Sequence, residues 1–206
     1  MKSLKTVVAS LAVSLFVSFS VSAADGSKAK PTNLKVSAVK SDLEWNAKKV
    51  TGEHTGKVFL KDGTLTMDGS KLVGGSFVAD LNSITCVDLT DKSYNDKLIG
   101  HLKSDDFFSV EKHPTAKFVI TKAVAKAAGA YDVTGDLTIK GITKPVTFPV
   151  TVKSTATGAE ATGKLVVDRA KYDIKYNSKS FFDVSALGDK MINDDFTINV
   201  KLVAAK

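Results

Sequence analysis

The sequence predicts an all-β domain of antiparallel strands, a sandwich or a barrel, interrupted by one short helix. Three observations carry this. From residue 35 onward apolar and polar residues mostly alternate, which is the signature of strands with one face in a core. Turn signals separate nearly all of these runs, so neighbours in sequence pair antiparallel. One stretch, Lys97–Phe118, breaks the alternation and places Leu98 and Leu102 four residues apart, a helical spacing.

Residues 1–23 read as an export signal. Lys2 and Lys5 give a basic start, and Val7 to Val21 is an uncharged apolar run diluted by four serines. Val21-Ser22-Ala23 supplies small residues for cleavage near Ala23. The run is short for a membrane-spanning helix. The expected organisation is a signal over 1–23, a polar leader over 24–34 and one domain over 35–206.

The strands follow in order. Leu43, Trp45 and Ala47 share one face, and His54, Gly56, Val58 and Leu60 share the next. Asp62-Gly63 and Asp68-Gly69 both signal hairpin turns. Gly74-Gly75 within a strand pattern suggests a bulge or bend, ahead of Phe77, Ala79 and Leu81. Ser93, with Asp96 three residues on, starts the helix, whose inner face is Tyr94, Leu98 and Leu102. Ser104-Asp105-Asp106-Phe107-Phe108 forms a second helical turn, and His113-Pro114 returns to extended chain.

Phe118 and Ile120 open the next strand, and Ala123–Ala130 reads as a bland connection. Val133, Leu137 and Ile139, the turn at Gly141, and Val146, Phe148, Val150 and Val152 form the clearest hairpin. Leu165 and Val167 alternate until Asp168-Arg169 interrupts, and Tyr172, Ile174 and Tyr176 resume the pattern. After a loop, Phe196, Ile198, Val200 and Leu202 make the last strand. The total is roughly eight to ten short-spaced strands.

Composition narrows the function. Without the signal, 27 basic residues face 22 acidic ones, a net charge of +5, and Arg169 is the only arginine. Base and phosphate readout lean on arginine, so nucleic acid is excluded as a partner. The dispersed lysines fit a solvated surface with weak attraction to anionic membranes. Cys86 stands alone at strand-like spacing and reads as a small buried hydrophobe without an intrachain disulfide.

Catalytic and metal patterns are weak. His54, His101 and His113 are widely separated, with no HExxH helix, so no metal site is expected. There is no GxSxG elbow, and the acidic pairs Asp105-Asp106 and Asp194-Asp195 fit turns and helix starts. No phosphate loop or dinucleotide fingerprint occurs. What remains is apolar capacity: an eight-stranded barrel has an interior just wide enough for one ligand.

The pieces taken together resemble the YceI-like family of exported, lipocalin-like, polyisoprenoid-binding proteins. They are Trp45 with Gly52–His54, GGSFVADLNSI at 74–84, KLIGHLKSDDFFSVEKHPTAKF at 97–118, VTGDLTIKGITKPVTFPV at 133–150, DRAKYDIKY at 168–176 and the closing strand at 196–202. The resemblance implies an elongated antiparallel eight-stranded lipocalin-like barrel with a short helical insertion, and a periplasmic address. It implies a hydrophobic tunnel holding an isoprenoid or quinone-like chain, with no other cofactor. Asp173 stands where many relatives carry glycine, which predicts a different loop beyond Tyr176.

The expected ligand contacts are Trp45, Phe77, Phe118 and Phe148 along the tunnel, and His101, Phe107 and Phe108 at its mouth. The expected function is a non-catalytic periplasmic carrier of an amphipathic lipid, with transient membrane-surface contact. Monomer and homodimer both stay open. Two alternatives stand beside it: a hydrolase or isomerase using His101 with Asp105 or Asp106, and a stress or partner-binding domain whose barrel is simply filled.

Overall fold

The computed structural model describes residues 30–206. The export signal and leader residues 24–29 lie outside the described residues. The strands are β1 (Thr32–Val36), β2 (Asp42–Lys49), β3 (Gly52–Asp68), β4 (Lys71–Cys86), β5 (Thr115–Ala127), β6 (Ala130–Ile139), β7 (Ile142–Thr155), β8 (Gly158–Asp168) and β9 (Ile192–Ala205). Helix α1 (Lys92–Lys103) joins β4 to β5, and a single turn α2 (Val184–Leu187) lies between β8 and β9.

Every pairing is antiparallel, and the sheet closes where β9 meets β2, from Asp42↔Lys201 to Ala47↔Phe196. Strands β1 and β2 share one stave. β1 pairs with the far end of β3 (Thr32↔Met67) and with β9 (Val36↔Ala204), and β2 pairs with the same two strands further along (Trp45↔Gly56, Trp45↔Ile198). The result is a closed eight-stranded barrel. Its strands are long: the 17 residues of β3 reach about 55 Å at ~3.3 Å per residue.

The inward alternation is regular. Along β6, Tyr131, Val133, Gly135, Leu137 and Ile139 are all buried. The two-residue turn Lys140-Gly141 has φ of 51° and 74°, the primed-turn geometry that matches strand twist.

Four local expectations are corrected. The first strand begins at Thr32, inside the stretch read as leader. Asp62-Gly63 is no turn: β3 runs through it, because Leu65 continues the ladder to Gly75, and a register shift between Leu60 and Asp62 absorbs the irregularity. Ala123–Ala130 is a ladder rather than a connection, pairing Ala123↔Val133 and Ala125↔Tyr131 around a turn at Gly129. Tyr172–Tyr176 is not a strand. A 3₁₀ turn over Arg169–Tyr172 ends at Asp173 in the left-handed region (φ 57°), where Asp serves much as Gly would.

Helix α1 is capped by Asp91, whose side chain accepts from the N–H of Ser93 and Tyr94 at 2.8 and 3.2 Å. Ser93, the expected cap, instead donates its own hydroxyl to Asp91. Leu98, Ile99 and Leu102 pack against Trp45, Ile84 and Val110, whereas Tyr94 is 65 % exposed and leaves the inner face.

Candidate functional site

Two kinds of interior exist along the barrel. Toward the β3–β4, β5–β6 and β7–β8 turns, Leu34, Leu65, Met67, Val133, Ala159 and Ala204 are packed to 4 % exposure or less. Further along, inward residues such as Phe118, Ile120, Val150, Phe196, Ile198 and Val200 are only half-buried, although they point into the barrel. Their free surface faces a cavity of about 220 Å³.

The wall of this cavity runs from Leu65, Leu72 and Leu202 at the hairpin end to Leu102, Phe107, Phe108 and Ile174 at the other. Lys117, Thr162, Arg169 and Asn193 are its only polar or charged members; the rest is apolar side chain and Gly163. Aromatic rings line it in sequence: Phe77–Phe118 at 6.4 Å between centroids, Phe118–Phe148 at 5.6 Å, and Phe108–Phe196 at 6.2 Å. Gly135 makes room for this stack. A Cβ there would lie 2.4 Å from the Phe118 ring.

Of the seven residues the sequence offered as ligand contacts, Trp45, Phe77, Phe107, Phe108, Phe118 and Phe148 stand in the cavity wall. His101 does not. Successive helical residues are ~100° apart, so α1 turns Leu102 inward and His101 aside. His101 packs edge-on against Phe107 (4.9 Å) and Tyr176 (4.5 Å), and its Nε2 lies 3.0 Å from Asp106 Oδ2. It backs the wall rather than forming it. Asp105 is engaged with Ser109 and Lys112.

The wall is not uniformly laddered. β7 pairs with β8 only from Val150↔Gly163 to Thr155↔Gly158. Beside the remainder, Tyr172 and Ile174 pack with Leu137, Ile139, Phe148, Leu165 and Val167. Arg169 holds this segment down. It donates to the carbonyls of Asn193, Ile174 and Ile192, each at 3.0 Å, and its Nη2 lies 3.5 Å from Asp194 Oδ1. Burial pulls the guanidinium pKa below its usual value, opposed by Asp194 and Asp168. Burial likewise pushes the Tyr172 hydroxyl up to about 12, helped by the Asp168 charge, and that hydroxyl has no hydrogen-bond partner. The Asp194-Asp195 pair fits a turn or helix start by sequence; the fold instead buries Asp194 beneath the lone arginine.

A second polar group lies on the same rim. His54 Nδ1 is 2.8 Å from Asp88 Oδ2, and the Cys86 thiol donates to Asp88 Oδ1 at 3.2 Å. The Thr55 N–H also donates to Asp88 Oδ1, at 2.7 Å. Partial burial opposes ionisation of Asp88, but the Thr55, His54 and Cys86 contacts outweigh it and hold the carboxyl at about 2. Burial pushes the Cys86 thiol up, and the Asp88 charge adds to this. Spacing hid this trio, because His54 lies on β3 and Asp88 in the bend just after β4, and they meet only through the β3–β4 ladder.

The closed barrel and its apolar chamber define a lipocalin-like protein. The chain belongs to the YceI-like family, whose domain model matches residues 34–204. A UPF0312 protein of Pseudomonas putida is 40% identical over 90 residues, 44% of each chain, so the alignment spans under half the length of that relative. Among solved structures, BcnA of Burkholderia cenocepacia aligns with a TM-score of 0.64 at 26% identity, over 83% of this chain and 99% of that one. A polyisoprenoid binding domain from Saccharophagus degradans, implicated in plant cell wall breakdown, aligns at 0.59 and 16% identity, over 84% and 97%.

Proposed function

We propose that this protein is a non-catalytic periplasmic carrier that holds a long-chain isoprenoid, a quinone-like molecule or another amphipathic lipid in the barrel chamber. The carrying observation is the chamber of about 220 Å³ with its apolar wall. Left empty, such a void costs about 5 kcal/mol at ~24 cal/mol per Å³, comparable to the whole stability of a marginal domain. Hydrocarbon placed there gains about 0.8 kcal/mol for each CH₂ removed from water. The polyisoprenoid-binding domain that shares this fold supports the same reading.

Arg169 and Asn193 lie at the loop end of an otherwise apolar wall, with the guanidinium spent on backbone carbonyls; the proposed orientation has the lipid head at that end and its tail toward Leu65 and Leu72. The same end offers a way onto a membrane. Phe181, Phe182 and Val184 are 43 to 55 % exposed, and exposed Lys175 and Lys179 flank them. Apolar side chains among lysines suit transient contact with an anionic lipid surface. The hydrolase or isomerase alternative loses ground, because the His101–Asp106 pair stands behind Phe107 rather than in the chamber wall.

The test is mass spectrometry of organic extracts from protein purified out of its own host, alongside the Ala161→Trp variant that fills the chamber. Wild type should carry an isoprenoid, quinone or acyl chain, and the folded variant should carry far less. An empty wild-type extract, or equal lipid in the two proteins, overturns the proposal.

A further inference from the structure

The His54, Cys86 and Asp88 cluster has no part in holding a lipid, yet its three side chains converge from β3, the end of β4 and the bend that follows it. Cys86 is the last residue of β4 and pairs with Gly56 of β3, while the Val87 N–H donates to the Thr55 carbonyl at 2.9 Å. These ladder contacts bring His54 alongside the exit of β4. The exit is fastened from the other side by α1, whose Asn95 Nδ2 donates to the carbonyls of Cys86 (3.0 Å) and Leu89 (2.9 Å). Asp88 is fixed further by the Thr55 N–H. One nitrogen, one sulfur and one carboxylate oxygen thus lie within 4.8 Å of one another on a held backbone.

The geometry points to a site for a zinc-class divalent cation, bound by Cys86 Sγ, His54 Nδ1 and a carboxylate oxygen of Asp88, with solvent as the fourth ligand. The donor set selects the ion: thiolate and imidazole favour zinc and its neighbours over calcium or magnesium, which prefer oxygen. Tetrahedral zinc with its usual bond lengths separates such donors by about 3.3–3.6 Å. Here His54 Nδ1 lies 2.8 Å from Asp88 Oδ2 and Cys86 Sγ 3.2 Å from Asp88 Oδ1, and one donor atom from each residue lies within 4.8 Å of the others. Binding therefore requires the side chains to exchange these hydrogen bonds for metal bonds and to shift slightly about a shared centre. His54 and Asp88 are each about one-third exposed, which gives a hydrated ion access, while Cys86 forms the buried floor.

The chemistry balances without an oxidant or reductant. The Cys86 S–H bond gives its proton to solvent, a sulfur–metal bond forms, and a water of the hydrated ion leaves for each protein ligand that joins. A bound ion would staple the start of β3 to the exit of β4, at the point where the chain runs into α1. The site stands independently of the lipid reading.

Cobalt(II) is the probe, titrated into purified protein under reducing conditions. Wild type should take up one equivalent and show a thiolate-to-cobalt charge-transfer band, which zinc(II) then displaces one for one. Cys86→Ser should lose the band, and His54→Gln, at a partly exposed position that leaves the core intact, should weaken zinc binding at least tenfold. His113→Gln, a histidine outside the cluster, should bind as wild type does. Absence of the band in wild type, or zinc affinity in His54→Gln equal to wild type, or loss of binding in His113→Gln, overturns the assignment.

Discussion

At one end of the barrel, the pairs β3–β4, β5–β6 and β7–β8 close through two-residue turns, and a tightly packed cluster of Leu34, Val36, Met67, Tyr131 and Ala204 fills the space behind them. At the other end, the tight β2–β3 and β6–β7 turns stand beside two long connections, residues 87–114 and 169–191, that lean on each other through Phe107 and Tyr176, at 5.5 Å. The hairpin end is made by local chain reversal and side-chain packing. The loop end adds to its two tight turns the contacts between distant segments, and it gathers the buried ion pair, the His–Cys–Asp cluster and the exposed aromatics Phe181 and Phe182. The proposed sites lie where packing is incomplete, as expected of a wall that would admit or hold another molecule and so cannot be filled by its own side chains.

Arg169→Ala should give the largest effect, a loss of about 3–5 kcal/mol, because it leaves Asp194 buried and uncompensated and frees three carbonyls. Hydrogen exchange should show protection lost first over 169–191, with the β1–β3 region still protected. Equal loss at both ends would break the contrast. Leu34→Ala, in the packed cluster, should cost about 3 kcal/mol in urea unfolding while retained lipid is unchanged, since Leu34 does not line the chamber. A drop in lipid content would mean that the two ends are coupled.

Tyr172→Phe should gain about 1 kcal/mol, because it removes a buried hydroxyl without a partner. It also carries a pH signature. The Tyr172 pKa is raised to about 12, whereas an unfolded tyrosine ionises near ~10. Wild type should therefore hold a constant stability below about 10 and lose stability as pH rises toward 12, where the unfolded tyrosine ionises and the folded one does not. Alkaline unfolding of the variant should lack that slope, and identical profiles would show the hydroxyl to be solvated. Asp91→Ala should give the smallest effect. It removes the α1 cap, so amide exchange in the helix should quicken while the global midpoint scarcely moves. A global shift would mean that the helix, and not the strands, holds the loop end together.

Much of the barrel was legible in the sequence because alternation is local. Val133, Leu137, Ile139 and Phe148 declare their inward face within a few residues, and the turn at Gly141 fixes their register. The wall positions of Trp45, Phe77, Phe118 and Phe148 followed from the same alternation. Errors arose where neighbours decided. Asp62-Gly63 has good hairpin chemistry, but the ladder to β4 carries β3 through it. Tyr172 and Ile174 alternate like a strand, but Asp173 turns the chain and the two side chains fill a gap between β7 and β8. His101 belongs to a helix whose rotation about its axis is set by where Leu98 and Leu102 pack.

By itself the sequence determined the strand period, the turns at Asp68-Gly69 and Gly141, the helical break and a set of aromatics on the inner phase. Each rests on the chemistry of residues a few positions apart. Only the tertiary structure decided that β1 and β2 share a stave, that Arg169 lies over Asp194, that His101 backs the wall, and that His54, Cys86 and Asp88 converge. Those outcomes depend on barrel closure and ladder register, which bring together residues tens of positions apart, and no local pattern encodes such a distance.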